Sequence, residues 1–194
     1  MAQAQRSETL IPELQEYHHQ IEAIRRDAED LVAGLSEAQF NWRAAPGHWS
    51  VAECLAHLNA TAQQYFPMIS ESIRQARDHG WLSQGPFRHG WLGAWIVRSM
   101  EPPVKMKFKA PAAFVPPPDQ PMTKVVSEFM EYQNRLIQLL HEAGGVDLGR
   151  ARVQSPATKL IRLSLGQGFG LITGHERRHL WQARQVINHP NFPR

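Results

Sequence analysis

The run Gly174-His175-Glu176-Arg177-Arg178-His179 is where this sequence has the residues to do chemistry. Two histidines four positions apart on a helix point the same way, with Cβ atoms about 5–6 Å apart, and that spacing lets one helix give two ligands to one metal ion. At about 100° per residue the two lie within about 40° of each other, and Leu171, Ile172, Ala183 and Val186 share their face. The pair is therefore expected to look inward. A single inward histidine is ordinarily a hydrogen-bonded core residue, but two on adjacent turns leave two polar groups to satisfy, each costing about 1–3 kcal/mol if unpartnered. A shared ligand satisfies both.

The same run reads His-Glu-x-x-His, the zinc-protease signature in which the glutamate activates water. That reading needs a third ligand downstream. The extended form asks for histidine six residues after His179, where Gln185 stands, and only fifteen residues follow the pair. The third ligand must be sought upstream. Cys54 is the single cysteine, so neither a disulfide framework nor a multi-cysteine zinc site is available, and any metal falls to His, Asp or Glu.

The elements that must position these side chains are helical. Leu10, Leu14, Tyr17, Ile21, Ile24, Ala28, Leu31 and Leu35 alternate by four and three, giving one amphipathic helix with a bundle-type seam. Ala45-Pro46-Gly47 is turn chemistry, and Ser50 with Glu53 forms a capping box that opens a second helix with the seam Val51, Leu55, Leu58, Ala62, Tyr65, Ile69 and Ala76, ending at Gly80. Within residues 81–121, seven of the chain's fourteen prolines lie from Pro102 to Pro121, and the segment is expected to form a long covering connection. Within it Trp91, Leu92, Trp95, Ile96 and Ser99 keep helical spacing, and Val104 to Lys109 alternates like a short strand. A third helix carries Val125, Phe129, Tyr132, Leu136, Leu139 and Ala143, with Thr123 as its cap. Residues 146–163 form a connector, and a second capping box, Ser164 with Gln167, opens the last helix, which runs to about Asn188. Four helices with no strand pair and no repeat indicate an all-α four-helix bundle in a single domain spanning 1–194.

Composition narrows the partners. Hydrophobic residues at 42% and charged residues at 20% are globular values, and a net charge of +3 from 21 basic and 18 acidic residues makes no case for nucleic acid. No apolar run approaches a membrane span and the N-terminus has no apolar signal core, so a cytoplasmic, membrane-free protein is expected.

The stretch Trp49-Ser50-Val51-Ala52-Glu53-Cys54-Leu55-Ala56-His57, followed far downstream by His175, His179 and Gln182, resembles the DinB-like superfamily of metalloenzymes. The resemblance runs from the first helix through the last. It implies an up-down-down-up bundle with a long second connection, and a divalent metal held jointly by His57, His175 and His179. Zinc or nickel is the leading expectation, with iron or manganese as alternatives, because imidazole suits several first-row ions. Three imidazoles leave a fourth position for water or substrate, a catalytic rather than a structural arrangement. The expected activity is hydrolysis of a small-molecule substrate through coordinated water. The alternatives are transfer or isomerisation with a low-molecular-weight thiol as cofactor, and a non-catalytic metal-binding or stress-linked interaction module. A homodimer is also expected, from the resemblance and from Gly170 and Gly174, which with Arg177 share the face away from the histidines.

His57 sits at the border of its helix seam, about 100° from its midpoint, which suits a site at one end of the bundle, open to solvent. Gln182, one turn past His179, is a candidate to orient a ligand. Glu53 is first a capping residue and Glu176 points off the ligand face, so both are weaker supporting candidates. Cys54 is read as packing, and His48 and His89 as surface residues. Lys105, Lys107 and Lys109 are read as guards of an edge strand rather than as a lipid or nucleic-acid contact.

Overall fold

The computed structural model describes residues 10–103 and 110–194, so the strand expected over Val104–Lys109 lies outside the described residues. The chain runs α1 (Pro12–Val32), α2 (Glu37–Phe40), α3 (Val51–Asp78), α4 (Trp91–Met100), a 3₁₀ turn (Ala112–Phe114), α5 (Met122–Glu142), β1 (Arg152–Gln154), β2 (Arg162–Ser164) and α6 (Leu165–Ile187). The long helices α1, α3, α5 and α6 pack on one another as the bundle. Both expected capping boxes are formed. The Ser50 hydroxyl accepts from the Glu53 amide at the start of α3, Ser164 does the same for Gln167 at α6, and each longer side chain reaches back to the serine amide.

Three features depart from the sequence reading. The stretch 146–163 contains β1, which pairs antiparallel with β2, Val153 opposite Leu163. Strands of three residues are too short to register as an alternating pattern. A short helix, α2, follows the first helix and has its own capping box from Ser36 and Gln39. The cap of α5 is Pro121 rather than Thr123, since Pro121 has the extended backbone that precedes a first turn.

The apolar interior divides into two clusters along the bundle. One gathers Leu14, Ile21, Ala62, Ile69, Leu136 and Phe169, and the other Ile24, Phe40, Leu55, Leu58, Phe129 and Leu180. On α3 the boundary falls between Leu58 and Ala62, on α5 between Phe129 and Leu136, and on α6 between Ile172 and Leu180. Buried polar side chains collect there, among them His57, Gln133, Thr173, Glu176 and His179.

The covering connection contributes α4, which lies against α6. Its start is anchored by backbone bonds from Ser83 to Gly145 and from Asp147 to Trp81. Gly166, Gly170 and Gly174 of α6 leave room for close approach. A Cβ at Gly170 would stand 3.1 Å from the Tyr17 hydroxyl and 3.2 Å from Val97, and one at Gly174 would stand 3.4 Å from Met100. The glycine face is therefore filled by α1 and α4 of the same chain, so it supplies no argument for a second subunit. The outer face of α4 leaves Trp91, Leu92 and Trp95 exposed. His89 is not a free surface histidine: its Nε2 lies 3.0 Å from the Glu13 carboxylate on α1, and its Nδ1 lies 2.8 Å from the Ser164 hydroxyl at the cap of α6.

Gly170→Leu tests this packing. The added side chain collides with Tyr17 and Val97, so the variant is expected to lose about 1–3 kcal/mol of stability in urea unfolding. It should also be cleaved faster by protease within residues 81–103.

Candidate metal centre

His57 comes from the second turn of α3, and His175 and His179 come from the middle of α6. Their rings meet at the boundary between the two apolar clusters rather than at one end of the bundle, because apolar seam residues continue beyond the histidines on both helices. The Nε2 atom of His175 lies 3.2 Å from Nε2 of His57 and 3.1 Å from Nε2 of His179. Each residue offers one ligand atom, and these three all lie within 4.8 Å of one another. His57 and His179 are buried, whereas His175 keeps an intermediate exposure.

Two neighbours orient the rings. The Phe114 carbonyl, on the 3₁₀ turn, lies 2.6 Å from His57 Nδ1. A carbonyl only accepts, so Nδ1 carries the proton and the lone pair of Nε2 faces the other two rings. The Trp49 indole, just before the cap of α3, stacks on His179 with centroids 5.6 Å apart and lies 4.9 Å from the His57 ring.

This donor set fits a divalent cation. A single proton on His175 Nε2 cannot satisfy the lone pairs of both neighbours as two straight hydrogen bonds. Tetrahedral zinc, with metal–nitrogen distances of about 2.0–2.1 Å, holds its nitrogens about 3.3–3.4 Å apart, close to the two spacings seen. The same geometry accommodates other first-row ions that prefer imidazole.

Electrostatics favour neutral rings. Burial is the largest cause for each of the three and lowers its pKa. His175 falls to about 3, with the charges of His57 and Arg178 adding to the effect, and His179 falls well below its ordinary value for the same kind of reason. Neutral imidazole is the form that binds metal.

Glu53 is held by Arg43, which donates from Nε at 2.7 Å and Nη2 at 2.8 Å, and by the Ser50 amide at 2.9 Å. It fixes the start of α3 rather than meeting the histidines. Glu176 turns to α5, where its Oε1 accepts from Gln133 Nε2 at 2.7 Å. Burial raises its carboxyl to about 7 against the opposing pull of that hydrogen bond and of Arg177. Gln182 is half-buried one turn beyond His179 and favours the charged form of that ring, yet His179 Nδ1 has no well-formed hydrogen bond among the described residues. Cys54 is fully buried in the apolar cluster, which pushes its thiol pKa up, and it stands outside the metal-capable group. His48 is exposed.

Sequence reasoning missed Phe114, Arg43 and Gln133. The first acts through a backbone carbonyl, which leaves no mark on residue type. The other two are long-range partners of residues that the sequence did single out.

A sequence model of the DinB superfamily matches residues 20–183. Among solved structures the fold is similar to that of YfiT from Bacillus subtilis, described as a probable metal-dependent hydrolase with an unusual four-helix bundle topology. The TM-score is 0.59 at 15% sequence identity, over 97% of this chain and 94% of that one. No curated protein matches the sequence.

The buried rings give a pH signature. Histidine in an unfolded chain titrates near its ordinary value of about 6.5, above all three folded values, so between about pH 3 and 6.5 the unfolded chain binds more protons. Their contribution is present above about 6.5 and is lost as pH falls. Glu176 runs the opposite way: its folded value of about 7 exceeds the ordinary 4.5, so its contribution is present below 4.5 and lost as pH rises towards 7. Three histidines outweigh one carboxyl. Metal-free protein should therefore unfold at lower urea at about pH 5 than at about pH 7, and Glu176→Gln should make that dependence steeper.

Proposed function

The chain belongs to the DinB superfamily, and on that footing we propose that it is a divalent-metal-dependent hydrolase of a small-molecule substrate, with His57, His175 and His179 as the metal ligands. The observation that carries the reading is the meeting of three imidazole Nε2 atoms from two helices, with the lone pair of His57 directed inward by the Phe114 carbonyl. A divalent ion held there supplies Lewis acidity, which brings the deprotonation of water or of a thiol into the neutral range. Zinc and nickel are the first ions to test.

The chain's own residues do the rest of the work. Phe114 fixes the tautomer of His57, and Trp49 covers the rings of His57 and His179 and keeps bulk water from that side. Arg43 and Glu53 hold the first turn of α3, and so the height of His57. Glu176 is assigned to joining α6 to α5 through Gln133, not to proton abstraction at the metal. Gln182 is assigned to the edge of the site, where it supports His179. The reading also takes the helices to run up, down, down and up in one domain, and places a homodimeric protein in the cytoplasm. Among the described residues no helix is long and apolar enough to cross a membrane.

Metal analysis of the purified protein tests the centre. The wild type is expected to hold about one ion per chain, and His57→Ala or His179→Ala should each weaken binding by more than about 100-fold. Unchanged metal content in both variants sinks the proposal. With metal bound, turnover of an activated ester should release product without consuming added thiol. Stoichiometric loss of thiol would make the chain a thiol transferase, and no turnover with metal fully bound would make it a binding module.

A further inference from the structure

The large apolar side chains left exposed among the described residues are Leu82, Trp91, Leu92, Trp95, Val115 and Leu160. All but Val115 fall within two stretches of the chain, 79–100 and 148–175. Trp91 is 81% exposed and Leu160 94%, so their own chain gives them almost no cover. The same two stretches contain no aspartate or glutamate, although the chain has 18. Their basic residues, Arg88, Arg98, Arg150, Arg152, Lys159 and Arg162, are all exposed, and none forms an ion pair among the described residues.

The fold sets the two stretches side by side. Backbone bonds join Ser83 to Gly145 and Asp147 to Trp81, and a Cβ at Gly149 would stand 2.7 Å from the Arg88 carbonyl oxygen. His89 then meets Ser164 at the end of β2, and α4 lies against both β2 and α6. At about 100° per residue, Trp91, Trp95 and Arg98 fall within about 60° of one another on the outer face of α4. In the ladder Val153 and Leu163 are buried, so Arg152 and Arg162 point away from the core, and the turn between the strands carries Lys159 and Leu160. The acids that border this face are engaged. Glu13 faces His89, Asp147 Oδ1 accepts from the amides of Gly149 and Arg150, and Glu101 is held by Arg177.

We infer that the face formed by α4 and the β1–β2 hairpin docks on the surface of an anionic lipid bilayer. Tryptophan and leucine on a helix with arginine beside them is the chemistry of the headgroup boundary: the rings and apolar chains enter it while the basic groups pair with lipid phosphates. The contact is peripheral, since no described helix is long and apolar enough to cross a membrane. Charge argues against a second copy of the chain as the occupant, because a two-fold contact would set the basic residues against themselves. A nucleic acid could stack on the tryptophans but would leave Leu92 and Leu160 in water. The face uses none of the three histidines, so this assignment stands apart from the metal centre.

The full chain is mixed with vesicles of phosphatidylcholine alone, or with about 40% phosphatidylglycerol, and binding is read by flotation and by tryptophan emission. The anionic vesicles are expected to bind at least about tenfold more tightly than the neutral ones, with a blue shift, and to lose that gain in about 0.5 M salt. Trp91→Ala with Trp95→Ala should weaken binding at least about tenfold and remove most of the shift. Lys159→Glu with Arg162→Glu should weaken it at least about tenfold, whereas the same charge change on α1 and α5, Arg26→Glu with Lys124→Glu, should alter it less than about threefold. Absence of vesicle binding by the wild type, or equal affinity for the two compositions, overturns the lipid assignment whether or not the variants fold. Equal loss from the two charge-reversed pairs overturns the placement of the surface on this face. Binding of single-stranded DNA without vesicle binding makes the face a nucleic-acid surface, and a dimer dissolved by the tryptophan substitutions without vesicle binding makes it a subunit contact; either result overturns the inference.

Discussion

Three imidazole nitrogens gathered within 4.8 Å of one another, with His175 at 3.1–3.2 Å from each of the other two, cannot all satisfy each other, and much of the structure follows from that constraint. His57 has spent its only proton on the Phe114 carbonyl, so its Nε2 meets the cluster as a bare acceptor. His175 Nε2 faces both partners at 3.1–3.2 Å and has at most one hydrogen to share. Burial makes protonation of any ring costly, so the cluster cannot resolve itself by taking up charge either. A cation resolves it without leaving a lone pair unused.

Helix α6 has to serve two neighbours of opposite demand. One face carries His175 and His179 toward α3. Another is reduced to glycine at 166, 170 and 174 so that α1, α4 and the side chains of the connection can come close. Glycines cost a helix about 1 kcal/mol each against alanine, and here the packing they permit offsets that cost. The capping box of Ser164 and Gln167 secures the glycine-rich first turns, and Gln167 also donates to the Gly90 carbonyl at the start of α4. The connection is thus fastened to α6 at both ends of α4, through Gln167 at one and through Arg177 and Arg178 at the other.

The likeness to a zinc-protease signature is a matter of spelling. In His175-Glu176-x-x-His179 the glutamate lies between two inward histidines in sequence, but on the helix it turns to α5 and takes a hydrogen bond from Gln133. The third imidazole arrives from upstream, on a different helix. The same five letters therefore take on a different geometry once α3 supplies His57, and the glutamate becomes part of the polar layer between the two apolar clusters.

The sequence by itself determined the four long helices, the capping boxes of Ser50 and Ser164 and the inward facing of His175 and His179. These depend on spacing within one helix, where side-chain direction follows from position. It also supplied the family pattern that names His57. It did not determine the short ladder of β1 and β2, the tie from His89 to Glu13 and Ser164, or the seating of α4 on the glycines, because each joins residues far apart in the chain. Nor could it reveal that a carbonyl at Phe114 sets the tautomer of His57, since every residue carries a carbonyl and only tertiary structure decides which one arrives. The placement of the site between the apolar clusters, rather than at an end, was likewise decided by how the helices pack on either side of the histidines.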